Sequence, residues 1–304
     1  MFWPMYNLGL DKGHYISVFG YLALIPAIIV FAVFIVYPVF NTFYLSFCNY
    51  RTQTIRQGAK FIGLANYAQM FGDDKMWTAL KFTVLFTLIS VVLESVLGML
   101  CALIMNRQGK TRALVCAMIL IPWCIPTVVS GLMWNYIFAE SYGILNFLLQ
   151  ILGVTSQPVR WLTDSRYAFL SILISDVWKT VPYMSLLMLS ALKTVDSSYL
   201  EAAQIDGANK VQSFFKISMP CMKPIILVAV MFRTIQSFRI YDLIRVLTNG
   251  GPQGKTTSLT IYTITQYTTY GNMGYGAALA VLTFIISMII AVCFQDGVKS
   301  KLEV

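Results

Sequence analysis

Charged residues are scarce in this sequence. Of its 304 residues only 12% are charged and 58% are hydrophobic, whereas soluble domains have about 25% charged and about 45–50% apolar residues. A chain with so few charges is expected to have lipid as its main solvent. Its net charge of +9 then favours basic loops that face anionic lipid over a nucleic-acid partner.

The sequence also lacks the residues on which many enzyme and metal sites depend. His14 is the only histidine, and the six cysteines contain no C-x-x-C pair. The sequence therefore indicates neither a disulfide or metal framework nor histidine-based catalysis. It contains no G-x-x-x-x-G-K-[ST] phosphate-binding loop, so the chain is not expected to be an ATPase. We expect a non-catalytic chain with no metal and no cofactor of its own.

Long apolar runs are abundant. Because a spanning helix needs about 20 apolar residues, six such runs predict an all-α membrane protein with six transmembrane helices in a single domain over residues 1–304. Pro122 and Pro126, in the third run, are expected to kink that helix without ending it, since neighbouring helices can satisfy the freed backbone groups. The predicted helices cover about residues 18–40, 79–105, 113–138, 168–192, 225–247 and 277–294.

Basic residues indicate the orientation. The two terminal tails and the loops after the second and fourth helices are short and together hold ten lysines and arginines, whereas the longer opposite loops hold seven. Cytoplasmic segments are enriched in these residues, so both termini are expected in the cytoplasm. The opposite loops, at about residues 41–78, 139–166 and 248–276, are polar and aromatic without low complexity, and are expected to form ordered caps.

The polar segment 197–222, between the fourth and fifth helices, has a helical pattern of its own. Ser197 or Ser198 can cap a short helix there. Gly207 supplies a turn, and an amphipathic second helix is expected at about residues 209–217. The segment is therefore predicted to form a helix–turn–helix on the cytoplasmic surface.

Two prolines, Pro220 and Pro224, follow this second helix and are expected to break the chain before the fifth transmembrane helix. The apolar face of the second helix fits two surfaces equally well. It can lie on lipid, as interfacial helices do, or it can dock on a protein partner. The residues alone leave both alternatives open.

A motif in this segment resembles that of a known family. Glu201-Ala202-Ala203, Gly207, Ile217 and Pro220 closely resemble the EAA motif of ABC-importer permeases, with Met219 in place of the usual leucine. The extension Asp206-Gly207-Ala208 is similar to the carbohydrate-uptake branch, the maltose and glycerol-phosphate type. Further segments agree with that branch, and the resemblance covers about residues 20–295.

The resemblance implies a type I ABC importer permease fold of the inner membrane, in which segment 197–222 is the coupling helix. It implies four partners: a second homologous permease, two ATPase subunits that bind ATP and Mg, and an extracytoplasmic solute-binding protein that delivers a sugar or oligosaccharide. Transport would proceed by alternating access. The residues to which the resemblance assigns ATPase coupling are Glu201, Ala202, Ala203, Asp206, Gly207, Ile217 and Pro220.

Polar residues within the apolar runs mark a candidate substrate pathway, because such residues usually face a pathway or a neighbouring helix. Arg233 has no acidic residue one turn away in its own helix, which suggests an anionic saccharide as a further hypothesis. Arg239, Asp242 and Arg245 follow at three-residue steps and are expected to neutralise one another. The candidate pathway residues are Arg233, Gln236 and Ser237 on one face of the fifth helix, and Glu94, Trp123, Asn135 and Tyr183 elsewhere.

A secondary transporter and a membrane-bound enzyme are the two alternative classes of protein. A secondary transporter could use Glu94 and Asp176 for ion coupling, but it would leave segment 197–222 without a role. A membrane-bound enzyme would need clustered nucleophiles, bases or metal ligands, and the carboxylates here are dispersed. Co-purification with an ATPase subunit distinguishes all three classes.

Overall fold

The protein is helical throughout its membrane-spanning part. The computed structural model describes residues 12–107, 109 and 112–299, and for residues 12–20 and 296–299 it describes the backbone alone. Among these residues, five helices are long and apolar enough to cross a membrane. They contain or closely match five of the six predicted ranges, and they cover Tyr21–Ser46, Asp74–Met105, Ser165–Leu192, Lys210–Leu247 and Met273–Gln295.

Within the described residues the chain forms fourteen α-helices, four short 3-10 or π-helices and one short hairpin. In chain order the α-helices are α1 Lys12–Phe31, α2 Tyr37–Ser46, α3 Ala65–Phe71, α4 Asp74–Met105, α5 Arg112–Cys124, α6 Thr127–Ile137, α7 Ile144–Ile151, α8 Ser165–Leu192, α9 Ser197–Ile205, α10 Lys210–Ser213, α11 Met219–Phe238, α12 Asp242–Leu247, α13 Leu259–Ile264 and α14 Met273–Lys299. The strands β1 Cys48–Asn49 and β2 Lys60–Phe61 pair antiparallel.

The third predicted helix is not one kinked helix but two. Helices α5 and α6 meet at an angle of 92°. Pro122 lies inside α5, whereas Pro126 has an extended ψ of 141° and precedes α6 as its N-cap. The expectation that Pro126 only kinks the helix was wrong, because a proline disfavours helical geometry at the residue before it, here Ile125. Counted as one broken span, α5 and α6 bring the total to six.

The fifth helix shows the opposite outcome. The chain is helical from Lys210 to Phe238, with Pro220 in the first turn of α11 and Pro224 inside it. The predicted break at these prolines was wrong. A π-helical turn at Phe214–Ser218 precedes Pro220, and such a turn shifts the hydrogen-bond pattern and widens the helix, so that a proline ring can be accommodated.

The core forms where α4, α8 and α11 pack together. Phe82 and Phe86 of α4 pack with Ile172 of α8 and with Ile244 of α12. Further along α4, a Cβ at Gly98 would lie 2.9 Å from the Cβ of Met184, so a glycine lets α4 and α8 approach closely here. The first span packs on α14 through α2, with the rings of Phe43 and Phe284 5.7 Å apart; the most apolar window of that span has no buried residue.

Buried polar side chains hold the loops opposite segment 197–222. Asn66 donates through Nδ2 to the carbonyls of Ser46 and Cys48, at 2.8 and 2.9 Å. Asn146 accepts from the indole of Trp161 at 2.9 Å and bridges to Val159. These bonds agree with the expectation of ordered caps.

Candidate functional site

Segment 197–222 begins with a capped helix. The cap of α9 is Asp196, whose carboxylate accepts a hydrogen bond from the backbone N–H of Ser198 at 2.9 Å. Neither Ser197 nor Ser198 is the cap, as the sequence had suggested, because both already lie within the helix. Hydrogen bonds from the backbone and side chain of Ser198 lower the pKa of Asp196, so the cap is anionic at the positive end of the helix.

A fixed turn joins α9 to the next helix. Gly207 has a φ of +81°, which is the left-handed region that glycine adopts without strain. The N–H of Ala208 donates to Ala203 across this turn at 2.9 Å. Asn209 and Gln212 then form a reciprocal capping box that starts α10. The helix–turn–helix is therefore held by its own hydrogen bonds.

The two faces of α9 differ. Ala203 is 7% exposed and packs against this chain, so it does not belong to a free docking surface, although the motif groups it with Ala202. Ile205, at the end of α9, is 87% exposed, which is unusual for a large apolar side chain. The residues exposed around it include Glu201, Ala202, Asp206 and Gly207. We call these five exposed residues, Glu201, Ala202, Ile205, Asp206 and Gly207, the coupling face.

The other two motif residues lie beyond the turn. Ile217 is half-buried within the π-helical turn, and Pro220 is exposed in the first turn of α11. A groove of about 990 Å³ separates this part of the segment from the end of α4, with Leu103, Leu200 and Phe214 in its walls. Ile217 and Pro220 thus shape the connection between the coupling face and the fifth transmembrane helix.

Three charged residues meet inside the bundle. Arg233 of α11 is only 4% exposed, and its guanidinium pairs with Glu94 of α4 and Asp176 of α8. Its Nη2 lies 2.7 Å from Oε1 of Glu94 and 2.5 Å from Oδ2 of Asp176, and its Nε donates to the second Glu94 oxygen. Thr180 donates to Glu94 at 2.7 Å. We call Glu94, Asp176 and Arg233 the charge cluster.

The charge cluster changes the interpretation of Arg233. Arg233 indeed has no acidic neighbour in its own helix, but two other helices supply the carboxylates that pair with it. Arg233 therefore no longer indicates an anionic substrate, because its guanidinium is already bound by both carboxylates. The sequence pattern does not indicate that Asp176 pairs with Arg233. The general rule that an intramembrane arginine needs an acidic partner could have suggested the pair, but not which helices supply it.

The remaining pathway candidates differ in their contacts and in their exposure. Trp123 and Tyr183 stack at a ring separation of 5.8 Å, and Trp123 lies at the end of α5, next to the break before α6. Ser237 is buried and shares a hydrogen bond of 2.9 Å with Ser90 of α4, so its hydroxyl is used within the bundle. Gln236 is exposed on the helix surface, and Asn135 of α6 is half-buried.

The expected charge ladder on the fifth helix does not form. Helix α11 ends at Phe238 and Arg239 is its C-cap, so Asp242 and Arg245 lie on a separate short helix, α12. Within the described residues the ion pairs are Arg160–Glu140, Arg233–Glu94 and Arg233–Asp176. Residues 239–241 are not helical, so the three-residue spacing no longer places these side chains on one face of a continuous helix.

Several known proteins are similar to this chain in sequence or in fold. The trehalose/maltose transport system permease protein MalF of Thermococcus litoralis is 42% identical over 88% of this chain and 89% of its own length. The sulfoquinovosyl glycerol transport system permease protein SmoG of Agrobacterium fabrum is 36% identical over 98% and 95%. A solved bacterial ABC transporter involved in the import of the acidic polysaccharide alginate has the same fold, with a TM-score of 0.82 at 21% identity over 95% of this chain and 98% of that one.

A family match agrees with these relatives. Residues 94–304 match the family described as "Binding-protein-dependent transport system inner membrane component". The matched range includes both the coupling face and the charge cluster. The all-α, multi-spanning permease fold expected from the sequence is thereby confirmed. The chain belongs to this family of inner-membrane transport components.

Proposed function

We propose that this chain is one of two permease subunits of an ATP-driven importer and that the pair forms the pathway for a saccharide. A solute-binding protein delivers the saccharide, and two ATPase subunits drive the transport. Those subunits bind ATP and Mg, while this chain holds no cofactor and carries out no catalysis. On this proposal the protein spans the cytoplasmic membrane with both termini inside.

The coupling face is the observation that carries the proposal. Its helix is capped and its turn is fixed, so the segment is preorganised. Yet Ile205 is almost fully exposed at its end, beside Glu201 and Asp206. A large exposed apolar side chain rimmed by polar residues is typical of a surface that a protein partner covers. Lipid is a poor match for this surface, because two carboxylates flank the isoleucine.

The charge cluster suggests how movement of the coupling face reaches the membrane. Segment 197–222 connects α8 to α11, and Arg233 joins these two helices to α4 through Asp176 and Glu94. Three helices held by a buried ionic contact move together more readily than separately. A displacement of the coupling face would therefore move α4, α8 and α11 as one unit, which fits alternating access by rigid-body motion.

The substrate is proposed to be a neutral saccharide. Relatives with 36% and 42% identity are named for trehalose/maltose and sulfoquinovosyl glycerol transport, which differ in charge. In this chain the intramembrane guanidinium of Arg233 is already paired, so it offers no free positive charge to an anion. Trp123 and Tyr183 present stacked rings near the helix break, and aromatic faces suit the apolar faces of sugar rings. Trehalose and maltose are the first probes.

Reconstitution tests this function. The chain would be placed in proteoliposomes with its second permease, its ATPase subunits and its solute-binding protein. Uptake of labelled trehalose or maltose should require ATP, all subunits and the binding protein. Uptake that continues without the ATPase, driven by an ion gradient, would instead identify a secondary transporter and refute the proposal. The ATPase subunits should also co-purify with this chain.

A further inference from the structure

A second, polar cavity lies at the opposite end of the bundle from the coupling face. The start of α4, the loop between α12 and α13 and the turn after α13 enclose a volume of about 470 Å³. Small-molecule sites measure about 300–1,000 Å³. None of the pathway residues expected from the sequence lines this cavity. Its polar wall includes Asp74, Lys75, Asn249, Gln253, Thr257 and Tyr270.

Two side chains reach this cavity from an unusual backbone. Asn249 and Gln253 have φ values of 51° and 54°, and within the described part of the chain they are the two non-glycine residues with positive φ. For a residue other than glycine this conformation is uncommon, and residues held in it cluster at functional sites. Both of them line the same cavity. A glycine would relieve the strain at either position but would remove the amide.

The loop that carries these amides is held by its own hydrogen bonds. Thr257 donates to the carbonyl of Gly250 at 3.1 Å, and the hydroxyls of Thr248 and Thr256 share a bond of 2.8 Å. Arg245 donates to the side-chain oxygen of Asn249, which leaves the amide NH₂ of Asn249 available. The loop and the amide of Asn249 are therefore positioned before any ligand arrives.

The opposite wall is fixed as well. Asp73 caps α4 by accepting from the N–H of Lys75 at 3.0 Å, and the same carboxylate accepts from the hydroxyls of Tyr262 and Tyr275. Tyr262 lines the cavity and is held in turn by Gln266 at 2.8 Å. The charged side chains on this wall, Asp74 and Lys75, have opposite signs.

These groups select a class of ligand. Amides and hydroxyls both donate and accept hydrogen bonds, which matches the hydroxyl groups of a sugar. The opposite charges of Asp74 and Lys75 leave no net charge to attract an anion or a cation. The ring of Tyr270 is 54% exposed, and such a ring can pack on the apolar face of a pyranose. An apolar ligand would leave the amides without hydrogen-bond partners, which is unfavourable.

We propose that this cavity is a saccharide-binding site at the outer mouth of the permease, separate from the candidate pathway inside the membrane. This assignment rests on the proposed function for the orientation of the chain in the membrane and for the class of substrate. The site would receive sugar released by the solute-binding protein before the sugar enters the bundle. Neither the motif in segment 197–222 nor the intramembrane residues predict it.

Site-specific labelling tests the proposal in the complete reconstituted transporter. Thr78 lies on the cavity wall, and Gln53 is exposed in a short 3-10 helix outside it. Thr78→Cys and Gln53→Cys would each be made in a chain whose cysteines other than the buried Cys48 are alanine. Labelling by a membrane-impermeant maleimide would be timed with and without trehalose or maltose. Saccharide should slow labelling several-fold at position 78 and leave position 53 unchanged.

Two results would overturn the assignment. Equal labelling rates at position 78, at saccharide concentrations that support uptake, would mean that the cavity does not bind the sugar. Protection by the unliganded solute-binding protein, but not by the saccharide, would make the cavity a protein-docking site. A transporter that takes up no saccharide at all would instead refute the proposed function, and that failure is seen in the uptake assay before any labelling.

A second set of variants separates the amides from the fold. Asn249→Gly and Gln253→Gly remove the side chains and keep the left-handed backbone without strain. Together they should abolish saccharide protection at position 78 and raise several-fold the concentration of loaded binding protein that gives half-maximal uptake. Gln253→Asn, which retains an amide and tolerates positive φ, should preserve most of the protection. Full protection in the double glycine variant would also overturn the proposal.

Discussion

The charge cluster and the coupling face differ in whether their polar groups have partners within the chain. In the charge cluster every charged group finds its partner within the chain, since Arg233 is bound by Glu94 and Asp176 and all three are buried. On the coupling face, Glu201, Ile205 and Asp206 face outward. The first region is complete in one chain, whereas on the proposed function the second is complete only when the ATPase covers it. A mutation in the first should therefore act on folding, and one in the second on assembly and transport.

The largest effect is expected from Arg233→Met. This change leaves two carboxylates buried without a cation, and breaking a buried ion pair on one side costs about 3–5 kcal/mol. The thermal unfolding temperature of the purified chain in detergent should fall sharply. Arg239→Met, a change of the same type at an exposed position beyond the same helix, should have little effect.

A triple variant sharpens this prediction. Glu94→Gln, Asp176→Asn and Arg233→Met together remove every charge of the cluster and should recover most of the lost stability, because no unpaired charge remains buried. If Arg233→Met alone is as stable as the wild type, the cluster does not hold the helices together. Uptake of neutral and acidic saccharides by the triple variant also tests the anionic-substrate hypothesis, which predicts a selective loss of acidic sugars.

The next largest effect is expected from Gly207→Asp on the coupling face. A Cβ at this position meets no atom of this chain within 4 Å, and aspartate tolerates the left-handed backbone. Membrane insertion and stability should be nearly unchanged, while uptake and transport-coupled ATP hydrolysis are abolished, because the side chain blocks close approach of the ATPase.

Two further variants at this position separate the turn from the contact. Gly207→Asn adds the same bulk without charge in a conformation that asparagine adopts, and it should also abolish coupling. Gly207→Ala adds one methyl group but strains the turn. Loss of uptake with alanine and normal uptake with asparagine would assign Gly207 to turn geometry alone. Normal uptake by Gly207→Asp would refute the coupling assignment.

A moderate effect is expected from Ile205→Ser. The isoleucine is exposed in this chain, so its removal should not lower the unfolding temperature. It should weaken the co-purification of the ATPase, since burying an isoleucine side chain contributes about 1.5–3 kcal/mol. Val211→Ser, which removes another exposed apolar residue outside the coupling face, is the matched control. Equal ATPase binding by the wild type and Ile205→Ser would remove Ile205 from the interface.

The smallest effect is expected from Asp196→Ala. The carboxylate caps α9, and without it the first turn frays, so the coupling face is less well ordered. Uptake should fall slightly, and Asp196→Asn should restore it because asparagine is an equally good cap. A matching loss in Asp196→Asn would show that the charge matters and the cap does not. Initial uptake rates measure both variants.

The sequence predicted those features that depend on local composition. Apolar runs predicted the spans, and the glycine at position 207 predicted a turn that the structure builds with positive φ. The prolines were predicted poorly, because Pro126 breaks a helix while Pro220 does not. The difference lies in the π-helical turn before Pro220, which follows the buried Ser213 and ends at the buried Ser218. Such packing is not encoded in the local residue pattern.

Features that depend on the arrangement of helices could not be predicted from the sequence. The partners of Arg233 lie 139 and 57 positions away in the chain, and no periodicity within one helix indicates them. The inward orientation of Ala203 likewise depends on how α9 sits against the bundle. The role of the amides of Asn249 and Gln253 could not be predicted either, because polar residues are common in loops and their backbone angles are not visible in the sequence.

The first span has a consequence for how assembly can be observed. Its most apolar window contributes no buried residue to this chain, and its contacts lie towards one end, where α2 meets α14. Large side chains there, such as Ile28, Phe31 and Phe34, are more than half exposed. Replacing one of them by alanine should leave the isolated subunit as stable as before. If stability is lost only in the complete transporter, the loss measures the contact between this helix and whatever covers it there. The first span can therefore be used to detect contacts between subunits.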